Sequence, residues 1–328
     1  MHAMFTFNRI TKKLLVTYFF GNNRKIKFPL YLTFVCFLLL GSFQLKAQAT
    51  GDYRSITSGD WSSTLTWERY DGSGWVGLVA PPSSTDNVIT IQNGHSVTIS
   101  SDLTIDETVI DAGGTLTINS GTLTINNGTG TDLVDNGSFG TGSLAANLTV
   151  TSGANIDGAA SSIVFGGTTL TNDGTIYSLF AAKGTIAGTG SIGTLLVFNT
   201  GGDINLGGDQ TITSLLNFNY GRIVTGSNKI IIATTASIQH NGTNVYVLGN
   251  LQYNFPAGAQ VTQYYRVGDA SGDVPIELTL YNVSGTGGVI ISTTANDHPN
   301  IGSAGINAAK SVNRSWRITN NGLSFTDA

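Results

Sequence analysis

Acid–base or metal chemistry in this 328-residue chain would fall to a few histidines and scattered carboxylates. Beyond His2, the histidines are His95, His240 and His298. None sits in an HExxH frame, and no two lie within helical or hairpin reach, so a zinc hydrolase has no ligand set. His95 in "NGHSVTI" and His240 in "QHNG" read as turn residues. Asp297-His298-Pro299 is the most enzyme-like tripeptide, although the same residues make a good loop between strands.

Paired carboxylates could serve glycoside cleavage, which needs two acids about 5–10 Å apart in a groove, usually beside aromatic sugar platforms. The candidate groups are Asp106/Glu107/Asp111, Asp132/Asp135 and Asp203/Asp209. Between Val88 and Asn250 the basic residues are Lys183, Arg222 and Lys229, and aromatics are few, which is poor support for a lyase-type site. Asp203 and Asp209 fall in "GGDINLGGD", a loose echo of a Ca²⁺-binding nonapeptide that occurs once and lacks its full glycine frame. Turn capping by the aspartates accounts for it. No cofactor is implied, although the acid- and oxygen-rich surface would allow weak Ca²⁺ binding. No nucleophile elbow, phosphate loop or dinucleotide fingerprint is present. The reading is of a chain that is not an enzyme, with no catalytic, cofactor or metal residues to name.

The elements carrying these residues are written in the composition. The chain has 42 Gly, charged residues are 11%, and hydrophobic residues 40%. An average domain is about 25% charged. Glycine abundance opposes helix, and recurrent strand formers oppose disorder. The predicted fold is all-β: a right-handed parallel β-helix, or solenoid, with an N-terminal cap and a C-terminal, incomplete β-sandwich module.

Residues 1–49 are expected to be a signal peptide. Arg9, Lys12, Lys13, Arg24, Lys25 and Lys27 form a basic region, Phe28 to Phe43 an apolar run, and Ala47–Ala49 a cleavage motif. The run is too short to span a bilayer and is followed at once by the cleavage motif, so the mature chain is expected to lack a membrane span and to be secreted or displayed on the outer cell surface. Cys36 is the single cysteine, so the mature chain carries none. All 20 acids but only nine of the 16 basic residues follow position 49, a balance of −11 that disfavours nucleic acid as a partner.

Residues 50–87 hold Trp61, Trp67 and Trp75 amid turn chemistry and are predicted to cap a core. The spacing of six puts Trp61 and Trp67 on one face of an extended strand. Residues 88–250 repeat short period-2 strands punctuated by Gly, Asn and Asp, plainest in "GTLTINS" from Gly114 and "GTLTINN" from Gly121. No such strand buries its apolar side alone. Stacking coils of about twenty residues gives roughly seven or eight turns of solenoid. Gly114, Gly121 and Gly128 are the expected coil-turn glycines. Residues 251–328 have longer, more aromatic strands and read as a sandwich module that stops directly after a strand, as a truncated product of a longer gene would.

Two stretches carry a resemblance. Residues 51–99, with the frame "W-S-x(4)-W…P…D-N-V" from Trp61 to Val88, resemble the opening of large secreted or cell-surface proteins of Bacteroidetes. Residues 267–325 are similar to a module that recurs in the same proteins. The resemblance implies an adhesin-like β-repeat protein associated with type IX secretion, with extracellular glycans or cell-surface components as partners. The sorting domain usual in such proteins is not seen, and no catalytic residue carries over. The alternative on the same scaffold is a polysaccharide-degrading lyase or glycoside hydrolase.

Overall fold

The computed structural model describes residues 15–20, 24–29, 48–158, 162–305 and 307–328. The chain divides into two compact units, Met1–Gln48 and Ala49–Ala328. In the first, Leu15–Phe20 and Arg24–Pro29 form an antiparallel hairpin, with Leu15 opposite Pro29 and Phe20 opposite Arg24. Most of the expected signal sequence, including residues 30–47 of the apolar run and cleavage motif, lies outside the described residues.

The second unit bears out the predicted fold class. The protein is almost all β, with 56% strand and 2% helix, arranged as a parallel β-solenoid of about 8 turns. Each coil lays one short strand on each of three faces. On the first face, Ile89–Ile91, Thr108–Ile110 and Leu133–Asp135 stack in parallel. Ser96–Ile99, Thr115–Ile118 and Ser138–Thr141 do so on the second. Leu103–Ile105, Gly121–Ile125 and Ala146–Val150 form the third. Within residues 88–250 a circuit takes as few as 16 residues, from Ile176 to Ile192, and as many as 25, from Thr108 to Leu133.

Period-2 alternation sets which side chains enter the column. Leu116, Ile118, Leu123 and Ile125 are fully buried while the threonines between them face outward. Like residues stack on like: Ile118 on Ile99, Ile125 on Ile105, Leu170 on Leu148. Outside, Thr104, Thr124, Thr149 and Thr171 form a ladder on the third face. Each buried Leu or Ile contributes about 1.5–3 kcal/mol. The two GTLTIN segments are thus not successive coils. They lie on the second and third faces of one coil, turned by Asn119 and Ser120.

Glycines let the coils close. Gly121 has φ 75°, and a β-carbon there would fall 2.6 Å from the Ser101 carbonyl carbon of the coil beneath. At Gly137 the obstacle would be the Gly114 carbonyl oxygen, 2.3 Å away.

Parallel stacking extends beyond residues 88–250 at both ends. Tyr53 and Arg54 pair with Ile89 and Thr90, and Gly59 and Asp60 with Val97 and Thr98. At the far end, Val267 and Gly268 still pair in parallel with Val247 and Leu248. The sheet of the first face then turns antiparallel: Gly288–Thr294 pairs with Leu251–Asn254 and, on its other side, with Ser315–Asn321. A separate hairpin of Gly258–Tyr265 and Ile276–Val283 packs nearby, and the Tyr265 hydroxyl donates to the Val289 carbonyl at 2.8 Å. The C-terminal strands therefore continue the solenoid sheet within one compact unit.

Candidate ligand-binding face

The tryptophans occupy two different environments. Trp61 and Trp67 are buried at the N-terminal end of the column, their rings edge-on at 4.7 Å. Each indole N–H is satisfied, Trp61 by the Pro82 carbonyl at 2.8 Å and Trp67 by the Trp61 carbonyl at 2.7 Å. They do not share a strand, because Trp61 lies in a turn and Trp67 opens Trp67–Tyr70 after it. Trp75 lies on the outer strand Trp75–Gly77, half-buried, with the Arg54 guanidinium 4.1 Å over its ring. Gly114 and Gly128 both sit where coils meet closely. A β-carbon would fall 2.8 Å from the Ile91 carbonyl oxygen at Gly114 and 2.0 Å from Asp106 Oδ2 at Gly128.

The histidines fall in three separate settings. His95 Nδ1 lies 2.8 Å from the buried Ser55 hydroxyl, linking the first two coils. His240 faces solvent with Nε2 3.0 Å from Arg266. His298 Nδ1 accepts from the Asn300 amide at 3.2 Å in an exposed loop. Among the described residues no group of three or more His, Cys, Asp or Glu is placed to hold a metal ion.

Asp203 and Asp209 each pair with a base one coil later. Arg222 grips Asp203 through two 2.8 Å bonds, and Lys229 binds Asp209 through both its ammonium and its backbone amide. Asp135 caps its own turn by accepting from the Gly137 amide at 3.0 Å. A different pair comes together across coils: Asp106 and Asp132 share a carboxyl–carboxyl hydrogen bond. Burial, then that bond, pushes the Asp106 carboxyl above its ordinary range. Asp132 is fully buried and accepts from the Gly128 amide at 2.6 Å and the Asn155 amide at 2.7 Å. Burial likewise raises the Asp111 carboxyl.

The most distinctive exposed surface is one the sequence reading passed over. A single outward column on the second face runs Thr98, Thr117, Gly140, Val164, Phe180, Leu196, Asn217 and Gln239. Its first members are small or polar; in the middle it becomes apolar. Beside it, Phe198 pairs with Tyr220 across a register shift that adds one residue to the later strand. That bulge turns Tyr220 outward although Phe218, two residues earlier, is buried.

Phe180, Phe198 and Tyr220 form a ladder with one ring per coil. The first two rings are 5.3 Å apart and tilted by 31°; the next two are 4.9 Å apart and nearly perpendicular at 86°. Val164, Phe198 and Tyr220 are 47%, 37% and 51% exposed. The strands across this patch, residues 162–165, 178–182, 194–198, 215–220 and 237–239, contain no charged residue. Polar groups border it: Ser162 and Ser178 hydroxyls meet at 2.7 Å, and Asn241 donates to Asn219 at 2.9 Å. Exposed contiguous apolar surface rimmed by polar groups marks interaction sites. Its chemistry suits the C–H faces of neutral sugars, which stack on aromatic rings while their hydroxyls reach neighbouring Ser, Thr and Asn. The separations of 18 and 22 residues, near one coil length, were the available signal.

No known protein family, no curated protein and no solved structure matches this chain. Its class is therefore defined by its own architecture, a parallel β-solenoid that fits a structural or adhesin-like role. Among the described residues no helix is long and apolar enough to cross a membrane.

Proposed function

We propose that this chain is an exported, non-enzymatic, adhesin-like protein whose solenoid displays an uncharged aromatic face to neutral glycans at the cell surface. Residues 1–49 support export, and the resemblance of residues 51–99 and 267–325 to Bacteroidetes surface proteins supports a type IX context. The observation that carries the reading is the Phe180–Phe198–Tyr220 ladder, one ring on each of three successive coils, with Phe180 half-buried and Phe198 and Tyr220 exposed. Stacked hydrogen-bonded coils hold those rings at fixed spacing, so a ligand lying along the column would meet a preorganised surface.

Affinity electrophoresis through gels carrying neutral polysaccharides (xyloglucan, galactomannan or β-1,3-glucan) tests this. Retardation by at least one glycan, abolished by Phe198→Ala with Tyr220→Ala, is expected; equal mobility in every gel overturns it. For a polysaccharide-cleaving enzyme on this scaffold, the candidate carboxyl pair brought together across coils is Asp106 and Asp132. The burial of Asp132 and the engagement of both its oxygens by backbone amides disfavour that reading.

A further inference from the structure

Ser315–Asn321 pairs with Gly288–Thr294 over seven consecutive register positions with no shift. Among the described residues it pairs with no other strand, so its second edge is an open row of backbone donors and acceptors. Its own side chains are also largely exposed. Ile318 lies directly opposite Ile291, yet Ile318 is 52% exposed and Ile291 is fully buried. Trp316 stands opposite the buried Thr293 and is exposed as well. Cross-strand partners point to the same side of a sheet. The inner row of Gly288–Thr294 thus continues onto Ser315–Asn321, where Ile318 stands half-exposed and Trp316 is held on one side by its indole bond to the Val274 carbonyl at 3.4 Å.

Monomeric proteins protect such edges with proline, lysine, a bulge or a short strand. This edge has none of these. It is seven residues long and regular, and Arg317 is its single charge. We infer that Ser315–Asn321 is a homodimer interface, pairing antiparallel with the same strand of a second copy about a two-fold axis at Ile318. The sequence is self-complementary in that register. Ile318 would meet its own copy, Trp316 would face Asn320, Arg317 would face Thr319, and Ser315 would face Asn321. No like charges stand directly opposite, and each copy supplies the alternating pattern that the other edge requires. The joined strands would extend the sheet through both subunits and bring the two exposed Ile318 side chains together at its centre.

The interface makes no use of the aromatic ladder on the second face, so it stands or falls apart from glycan binding. Light scattering on the full chain should give a mass twice the 34.3 kDa of one copy. Ile318→Lys should return it to the mass of one copy. A monomer at all concentrations, or a dimer that Ile318→Lys leaves intact, overturns the inference.

Because Ile318 is half-exposed, the variant tests the interface without emptying a packed core. Cross-linking supplies a second readout. In a chain carrying Cys36→Ser, which removes the native thiol, Ile318→Cys should oxidise to a disulfide-linked dimer. Its two sulfurs would face each other across the axis, at the separation that opposed strand residues provide. Leu65→Cys, on the exposed surface of the N-terminal region, should form no disulfide-linked dimer under the same oxidation. Equal cross-linking at both positions, or none at 318, contradicts the model of pairing.

Discussion

Trp67 donates its indole N–H to the backbone carbonyl of Trp61 at 2.7 Å while the two rings pack edge-on at 4.7 Å. This contact seals the N-terminal end of the hydrophobic column, which otherwise would open to water at Ile89 and Val97. Trp67→Ala should cost about 3–5 kcal/mol, the range for truncating a buried Trp or Phe. Trp67→Phe keeps most of the volume but loses the hydrogen bond, a net loss of about 1 kcal/mol. Trp75→Ala removes a half-buried ring and its Arg54 contact, which is worth about 0.5–1 kcal/mol. Urea unfolding of the three variants should rank them in that order. An equal cost at Trp67 and Trp75 contradicts this account of the cap.

Gly137→Ala should break the stacking of two coils, because its β-carbon would meet the Gly114 carbonyl oxygen at 2.3 Å. The two nearest obstacles are backbone carbonyl oxygens, of Gly114 and Asp111, which cannot swing away as a side chain could. Gly74→Ala is the control: open space surrounds the position and its φ is not positive. Thermal melts should show a large loss for the first and almost none for the second.

Stability should also respond to the carboxyl pair. Burial and the hydrogen bond to Asp132 raise the folded-state pKa of Asp106 above its unfolded value. The fold therefore favours the protonated acid, and that contribution is complete below the ordinary carboxylate pKa. It is lost as pH rises through the raised value. Asp106→Asn puts a neutral donor in the same place, so it should match the parent in acid and melt higher at neutral pH. Asp132→Asn should destabilise, since an amide nitrogen would replace an oxygen that accepts from backbone N–H. Melting temperature against pH for the three proteins checks both signs.

Much of the fold was legible because period-2 alternation and φ-tolerant turn residues are local signals. Leu116, Ile118, Leu123 and Ile125 could be placed inside the column from spacing alone. What the coil does to distant residues was harder to read. Asp203 and Asp209 looked like a turn motif or a cation loop until their partners Arg222 and Lys229 appeared one coil away. Asp106 meets Asp132 for the same reason, although sequence proximity grouped each with other acids. Uneven circuits, 16 residues in one coil and 25 in another, erase any fixed period that would align such pairs. Tyr220 was hidden further by the bulge that reverses its facing relative to Phe218.

The most direct test of the central claim joins binding and turnover on one panel of neutral polysaccharides. The parent chain should be retained by at least one glycan and release no reducing ends or unsaturated sugars. The Phe198→Ala, Tyr220→Ala double variant should lose retention while its unfolding midpoint stays close to the parent's. Sugar release that disappears in Asp106→Asn, or retention that survives loss of both rings, would contradict the account.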